Sequence, residues 1–499
     1  MELKNALEKL SELQRKLYAY RYAANAIYLD SVTAAPSDTE EGRSVAMGEI
    51  SGFAYELTTA PETIELLEGL KEKSGELTPH QAREVELLLR DHEYISSIPQ
   101  DEYVAFQVLS TKSESVWHRA KPANDYAMFM PYLRDMMATS ARFAKYYKPE
   151  QDPYETLLGQ YERGLTMAKC DEFFGKLRAN IVPLLKKISG KPQIDDSPLY
   201  GDFPVDRQKE LTERIMAFMT VDPRHCTCGE TEHPFTIEFN KDDVRITTHY
   251  HTDSVTSSLY SVVHESGHAL YELGGAAEHM YTVVAGGVSM GIHESQSRFF
   301  ENILGRSEAF TDMLLPELRR LFPGKFDWIP SREFYRMINK SEPSLIRTEA
   351  DELTYPLHIM VRYELEKRLI HGELSVEELP AEWNRLYSEY LGVEVPDDTH
   401  GVLQDSHWSG GQIGYFPSYA LGSAYGAQFL ARMRQDLDPF AAIRAGDMKP
   451  IVDWLGDKIY RHASMYDPNT LLEMVAGAPF DPQYYVDYLE NKYSDVYGL

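Results

Sequence analysis

Apolar residues recur at helical spacing through most of the chain. Leu3, Ala6, Leu10, Leu13, Leu17, Tyr20, Ala24 and Ile27 form a heptad seam, which predicts one long N-terminal helix. The seam stops near Asp30, so it reads as packing within the chain rather than as a dimeric coiled coil. A second helix is predicted over 38–59 from a Ser37-Asp38 cap, and another opens at Thr78-Pro79. Amphipathic segments continue to Ile188. The stretch SGKPQIDDSPLYGDFP, 189–204, is dense in turn residues and marks a soft boundary between two helical lobes of a single domain, 1–499.

The period changes once. In FTIEFNKDDVRITTHY, 235–250, Phe235, Ile237 and Phe239 alternate with polar residues, as do Val244, Ile246 and Thr248. Asn240 to Asp243 supplies turn chemistry, so a half-buried antiparallel hairpin is predicted. Helical patterns return after Ser254 and run almost to the end. The expected fold class is mainly α.

Composition narrows the partners. The chain has 499 residues, 43% of them hydrophobic, enough for a sizeable core. Its net charge of -28 argues against nucleic acid, whose phosphates want a basic face. Three cysteines, Cys170, Cys226 and Cys228, make no disulfide framework and fit a reducing cytoplasm. The opening MELKNALEKLSELQRKL is charged throughout, unlike a signal peptide, and no apolar run approaches a membrane span.

The chemistry starts in VVHESGHALYELGG, 262–275. His264 and His268 lie four apart and project from one helix face, where two imidazoles can share a zinc ion. Glu265 is next to the first histidine and can reach a water held there without being a ligand. Gly274-Gly275 are expected to end the helix. Glu272 is about 12 Å along the axis from His264, too far to share its ion, so the third ligand must come from another element. In AGGVSMGIHESQSRFFENIL, 285–304, Glu294 and Glu301 share a face. Glu294, nearer the helix start, is preferred, but spacing alone leaves both open. His293 beside it is read as a supporting residue. A second metal site from His225, Cys226, Cys228 and His233 is disfavoured, because C-x-C is not a common structural zinc spacing.

Two arginines stand out in this acidic chain, and a guanidinium's planar fork suits a carboxylate. Arg347 in SLIRTEADEL is expected on a helix, four residues before Asp351, and Arg245 on the polar face of the hairpin.

HPF at 233–235, DVRIT at 243–247, HESGH at 264–268, HESQ at 293–296, IRTEAD at 346–351 and GVLQDSHW at 401–408 occur in that order. Together they resemble the signature set of the M32 metallocarboxypeptidases, the carboxypeptidase Taq family. The resemblance implies a helical saddle or clam with a long central groove, as in related gluzincins such as neurolysin, and a small antiparallel sheet beside the active-site helix. It implies a metal held by His264, His268 and Glu294, usually zinc with cobalt able to substitute, and Glu265 as general base. It implies Tyr415 as oxyanion donor with His407 in support and Tyr419 as the alternative. Arg347 comes first and Arg245 second as carboxylate readers, and His233 is a groove residue. The substrates would be peptides with a free C-terminus, cleaved one residue at a time by a homodimer. An oligopeptidase or dipeptidase of the same zinc clan is the nearest alternative. A non-catalytic scaffold would have no need of Glu265.

Overall fold

The computed structural model describes residues 2–36 and 38–499. It is mainly helical. Helices α1 (Leu3–Thr33), α2 (Glu40–Thr59), α3 (Pro61–Lys71), α4 (Pro79–Ser97), α5 (Gln100–Ala123), α6 (Tyr126–Tyr147), α7 (Pro153–Tyr161), α8 (Met167–Ser189) and α9 (Val205–Phe218) precede the sheet. After it come α10 (Val255–Leu273), α11 (Met290–Arg298), α12 (Glu308–Leu321), α13 (Ser331–Ile338), α14 (Tyr355–Ile370), α15 (Leu379–Leu391) and α16 (Pro417–Asp436), with four shorter helices to the C-terminus. No helix among the described residues is long and apolar enough to cross a membrane.

The N-terminal seam packs inside its own chain. Ala6, Leu10 and Leu13 are buried against Leu67, Leu70, Val85 and Leu88, a small core of α1, α3 and α4 separate from the main one. The second half of α1 rides the sheet, with Tyr22 against Phe239 at 4.8 Å and Asn25 Nδ2 donating to the Glu238 carbonyl at 2.8 Å. Thr78 caps α4 as predicted: its hydroxyl accepts the Gln81 N–H, and the Gln81 side chain returns to the Thr78 N–H. Of the other predicted cap, Ser37 lies outside the described residues, and that helix starts at Glu40.

The segment 189–204 is stitched to the chain before α10. Gly201 N–H donates to Asp253 O and Phe203 N–H to Thr252 O, at 2.9 and 2.7 Å. Phe203 is fully buried in the main core.

The hairpin forms as expected from β2 (Thr236–Asn240) and β3 (Asp243–Thr248), antiparallel. A further strand, β1 (Cys226–Glu230), joins β3 in parallel, so the sheet is mixed and not wholly antiparallel, in the order β1-β3-β2. The reason is the 231–235 loop. It reverses the chain while leaving a strand-wide gap, and β3 returns into that gap. Running antiparallel to β2, β3 must run parallel to β1.

The site depends on how three helices meet. A Cβ on Gly267 of α10 would lie 2.8 Å from the Gln296 carbonyl oxygen and from Ser297 Cα of α11. A Cβ on Gly422 of α16 would lie 2.6 Å from Glu294 Cβ. Helix α11 is therefore clasped on two sides where its neighbours carry no side chain. At the end of α10, Gly274 is needed for room rather than for a left-handed turn. Its backbone stays right-handed at φ -81, and a Cβ would meet the Tyr460 ring at 2.5 Å.

Gly267→Ala and Gly422→Ala should each destabilise the fold by about 1–3 kcal/mol, the usual cost of overpacking. Gly69→Ala, in an open helical position, should be neutral or slightly stabilising. Denaturant melts of the three variants check this.

Candidate active site

His264 and His268 leave α10 on one face, and Glu294 meets them from α11. Glu294 Oε2 is 3.8 Å from His264 Nε2 and 3.5 Å from His268 Nε2. The three donor atoms lie within 4.8 Å of one another, and this is the one such cluster found among the described residues. Two ligands of a tetrahedral zinc at ~2.1 Å stand about 3.4 Å apart, so the spacing suits a small divalent cation.

Hydrogen bonds behind the cluster decide which nitrogens face it. His264 Nδ1 is 2.8 Å from Glu301 Oε2, so the ring hydrogen sits there and the Nε2 lone pair points inward. Glu301, the other acid open to the sequence reading, thus stands behind the histidine. It sits on a π-helical turn, Phe299–Leu304, that continues α11. Behind His268 stands His293, Nδ1 to Nδ1 at 2.6 Å, and behind that Glu272 at 2.7 Å from His293 Nε2. Arg298 Nε donates to Glu294 Oε1 at 2.7 Å, and its guanidinium packs over the Tyr355 ring at 4.4 Å.

The electrostatics suit a cation. Burial opposes ionisation of Glu294, but Arg298 and the imidazoles outweigh it and hold its carboxyl far below the usual range. Burial pushes His268 down to about 3, so it is a neutral donor. Burial also lowers His264, yet Glu294 and Glu301 outweigh it and its pKa is raised. One ionised carboxylate facing imidazoles is the donor set a divalent cation takes.

Glu265 is buried beside the cluster, and burial raises its pKa. The Thr236 hydroxyl of β2 donates to its Oε2 at 2.6 Å. Glu265, His264 and Glu294 line a cavity of about 960 Å³ together with Arg347, Tyr355 and Tyr419. A larger cavity, about 1120 Å³, lies between α1, α4 and α7, and none of the three donor residues lines it.

Arg347 corrects an expectation. It is not on a helix with Asp351 but in a single 3-10 turn, Arg347–Glu349. Buried Gln404 takes its backbone N–H at 3.0 Å, and Asp351 turns instead to the Thr354 hydroxyl. The partner of Arg347 is Asp405 at 2.8 Å, and the same carboxylate binds Arg362 at 2.5 Å. Burial works against the Asp405 charge, but the two guanidiniums hold its pKa far down. Two cations thus share one anion.

Other residues named from the sequence divide. Tyr419 lines the cavity, and its hydroxyl is 3.1 Å from His407 Nε2. Tyr415 packs at right angles to Tyr419, ring centres 5.0 Å apart, and burial pushes its phenol up to about 12, with the Glu294 carboxylate adding to the shift. Burial drives His407 down to about 4. Arg245 does not reach the cavity lining: it pairs with Asp243 at 3.0 Å over the Phe239 ring. His233 is exposed, and its neighbour Pro234 lines the cavity. Cys226 and Cys228 are free thiols on β1, pushed up to about 12 by burial.

Periodicity gave no sign of several residues that matter here. Asp405 sits inside the GVLQDSHW stretch without a spacing that reveals its partners. Glu366 is fully buried and accepts from Trp408 Nε1, Gly414 N–H and the Tyr154 hydroxyl at 2.7, 3.0 and 2.8 Å. It thereby anchors the loop between His407 and Tyr415.

An α-helical body and an H-E-x-x-H helix completed by an acid from a second helix define a metallopeptidase. Residues 9–493 match the family described as Carboxypeptidase Taq (M32) metallopeptidase, and the chain belongs to it. It is 37% identical to Carboxypeptidase 1 of Bacillus subtilis (strain 168) over the full length of both. It is 35% identical to Thermostable carboxypeptidase 1 of Thermus thermophilus, covering 99% of each. The crystal structure of an M32 carboxypeptidase from Deinococcus radiodurans R1 superposes with a TM-score of 0.97 at 34% identity, over 99% of this chain and 100% of that one. The family uses a metal, and the cluster at His264, His268 and Glu294 is where a divalent ion fits.

Burial holds Glu366 up at about 7, above the roughly 4.3 of an unfolded glutamate. Between those values the unfolded chain releases a proton that the folded chain keeps. The contribution of this group to stability therefore falls as pH rises through that window. Wild-type protein should lose more stability between about pH 5 and about pH 7.5 than Glu366→Gln does, measured by denaturant titration at both values.

Proposed function

We propose that this metallocarboxypeptidase uses zinc, held by His264, His268 and Glu294, to release single residues from the free C-termini of peptides, with cobalt able to replace zinc. The observation that carries the reading is a convergence. His264 and Glu294 of the donor cluster, the buried Glu265 and Arg347 share the wall of one cavity.

A bound zinc ion would polarise the scissile carbonyl and acidify water at neutral pH. Glu265 takes the proton of the attacking water and delivers it to the leaving amine. Its raised pKa favours accepting that proton, and the Thr236 hydroxyl anchors one of its oxygens. Tyr415 is assigned the oxyanion, with His407 in support. Tyr419 is the alternative, favoured by its place on the cavity wall and its contact with His407.

Arg347 is assigned the substrate carboxylate. Arg347 and Arg362 share the single carboxylate of Asp405, with His407 neutral beside them. A guanidinium that shares its carboxylate with a second arginine can take another, which a substrate C-terminus would supply at Arg347. Arg245 and His233, away from the cavity lining, become secondary candidates at the groove edge. A homodimer in the cytoplasm completes the proposal, the first from the family resemblance and the second from three free cysteines and the acidic composition.

Glu265→Gln should keep its metal and lose about 10²–10⁴ in turnover, the usual share of a general base. Metal analysis with turnover of a blocked dipeptide checks this, and full activity in the metal-loaded variant would remove Glu265 from the mechanism. Arg347→Lys should raise KM for a free-carboxylate peptide about 10–100-fold, the loss of a charge-assisted bond, and leave the poor cleavage of its C-terminal amide unchanged. Equal losses on both substrates would exclude Arg347 as the reader.

A further inference from the structure

The two imidazoles of the cluster are supported differently. His264 leans on Glu301 through one hydrogen bond. His268 leans on another imidazole, and only through it on a carboxylate. We infer that His293 and Glu272 are positioning residues that brace His268 as a metal donor through a hydrogen-bond chain of fixed direction. The inference rests on the ligand assignment above and adds to it two residues that never touch the ion.

The direction follows from counting hydrogens. His268 can offer its Nε2 lone pair to the cluster only if its hydrogen sits on Nδ1. The atom 2.6 Å from that Nδ1 is His293 Nδ1, which must then be the acceptor. A neutral imidazole whose Nδ1 accepts carries its hydrogen on Nε2. There Glu272 Oε1 waits at 2.7 Å, and a carboxylate can only accept. Each link thus sets the tautomer of the one before it. Glu272 Oε1 also takes the Gly287 N–H at 3.2 Å, which fixes the far end of the chain.

The brace ties the two metal-bearing helices together. Glu272 lies one turn beyond His268 on α10, and His293 precedes Glu294 on α11. A shift of α11 that moved Glu294 would break the His293 links as well. The ring has been given room: a Cβ on Gly287 would lie 2.6 Å from His293 Cδ2 and 2.9 Å from Tyr271 Cε1. Gly287 has no positive φ, so the need there is space for the imidazole and not backbone freedom.

The test is zinc affinity, read by competition with a chromophoric chelator on the full chain. His293→Leu removes the acceptor and should raise the zinc dissociation constant about 10–100-fold, as loss of an outer partner commonly does. His293→Asn returns an oxygen close to the Nδ1 position and should recover most of that loss. Glu272→Gln keeps an acceptor without the charge and should fall between wild type and His293→Leu. In histidine-labelled, zinc-loaded protein the His268 Nδ1–H should exchange slowly with solvent in wild type and rapidly in His293→Leu. A purely structural role for His293 would not rank the variants by their acceptor. Wild-type affinity in His293→Leu, or no recovery in His293→Asn, overturns the brace. Should His293→Leu not fold, Glu272→Gln decides: unchanged affinity together with unchanged Nδ1–H exchange overturns it. A wild-type chain that binds no zinc, or His264→Ala that binds it normally, strikes the ligand assignment itself and is read first.

Discussion

Everything in the site hangs on the approach of α11 to α10. The two histidines sit on one helix and the acid on another, so donor spacing equals helix spacing. Gly267 and Gly422 let backbone meet backbone on both sides of α11, which leaves Glu294 little freedom to drift. Interiors pack at crystal-like density, and a contact of this kind is held from all directions or lost. The placement of α16 therefore belongs to the metal chemistry although it offers the cluster no donor.

Around that contact the protein buries an unusual amount of charge. Glu294, Glu301, Arg298, Asp405, Arg347 and Arg362 are all largely removed from water. Each is paired, as buried ions must be, and the pairs are shared rather than exclusive. Arg298 reaches both Glu294 and Glu301, and Asp405 holds two arginines. Near the histidines carboxylates outnumber fixed cations, which suits a divalent ion.

The long helices and the hairpin were legible because their signal is local. Leu10 and Leu13 are buried where the heptad rhythm puts them, and Ile237, Val244 and Ile246 where the alternation does. The H-E-x-x-H helix was legible for the same reason, since four residues on a helix turn always bring two rings to one face. The failures have a common cause. SLIRTEADEL reads as a helix by composition, yet Gln404 and Asp405, more than fifty residues on, take the groups that a helix would have satisfied. The sheet gained a parallel strand because a loop left a gap, and no alternation along β1 announces its neighbour.

The sequence by itself determined the elements, the pair of histidines, the adjacent base and, through six ordered motifs, the family. These depend on residues a few positions apart, whose geometry backbone periodicity dictates. Only the tertiary structure decided which acid faces the cluster and which stands behind it, and that Arg347 answers to Asp405. It also placed Arg245 outside the cavity lining and Glu366 beneath the His407 loop. Those choices are made where distant segments meet, and there the deciding quantities are ångströms of approach and the pairing of buried charge. Neither is written in the spacing of residues along one strand or helix.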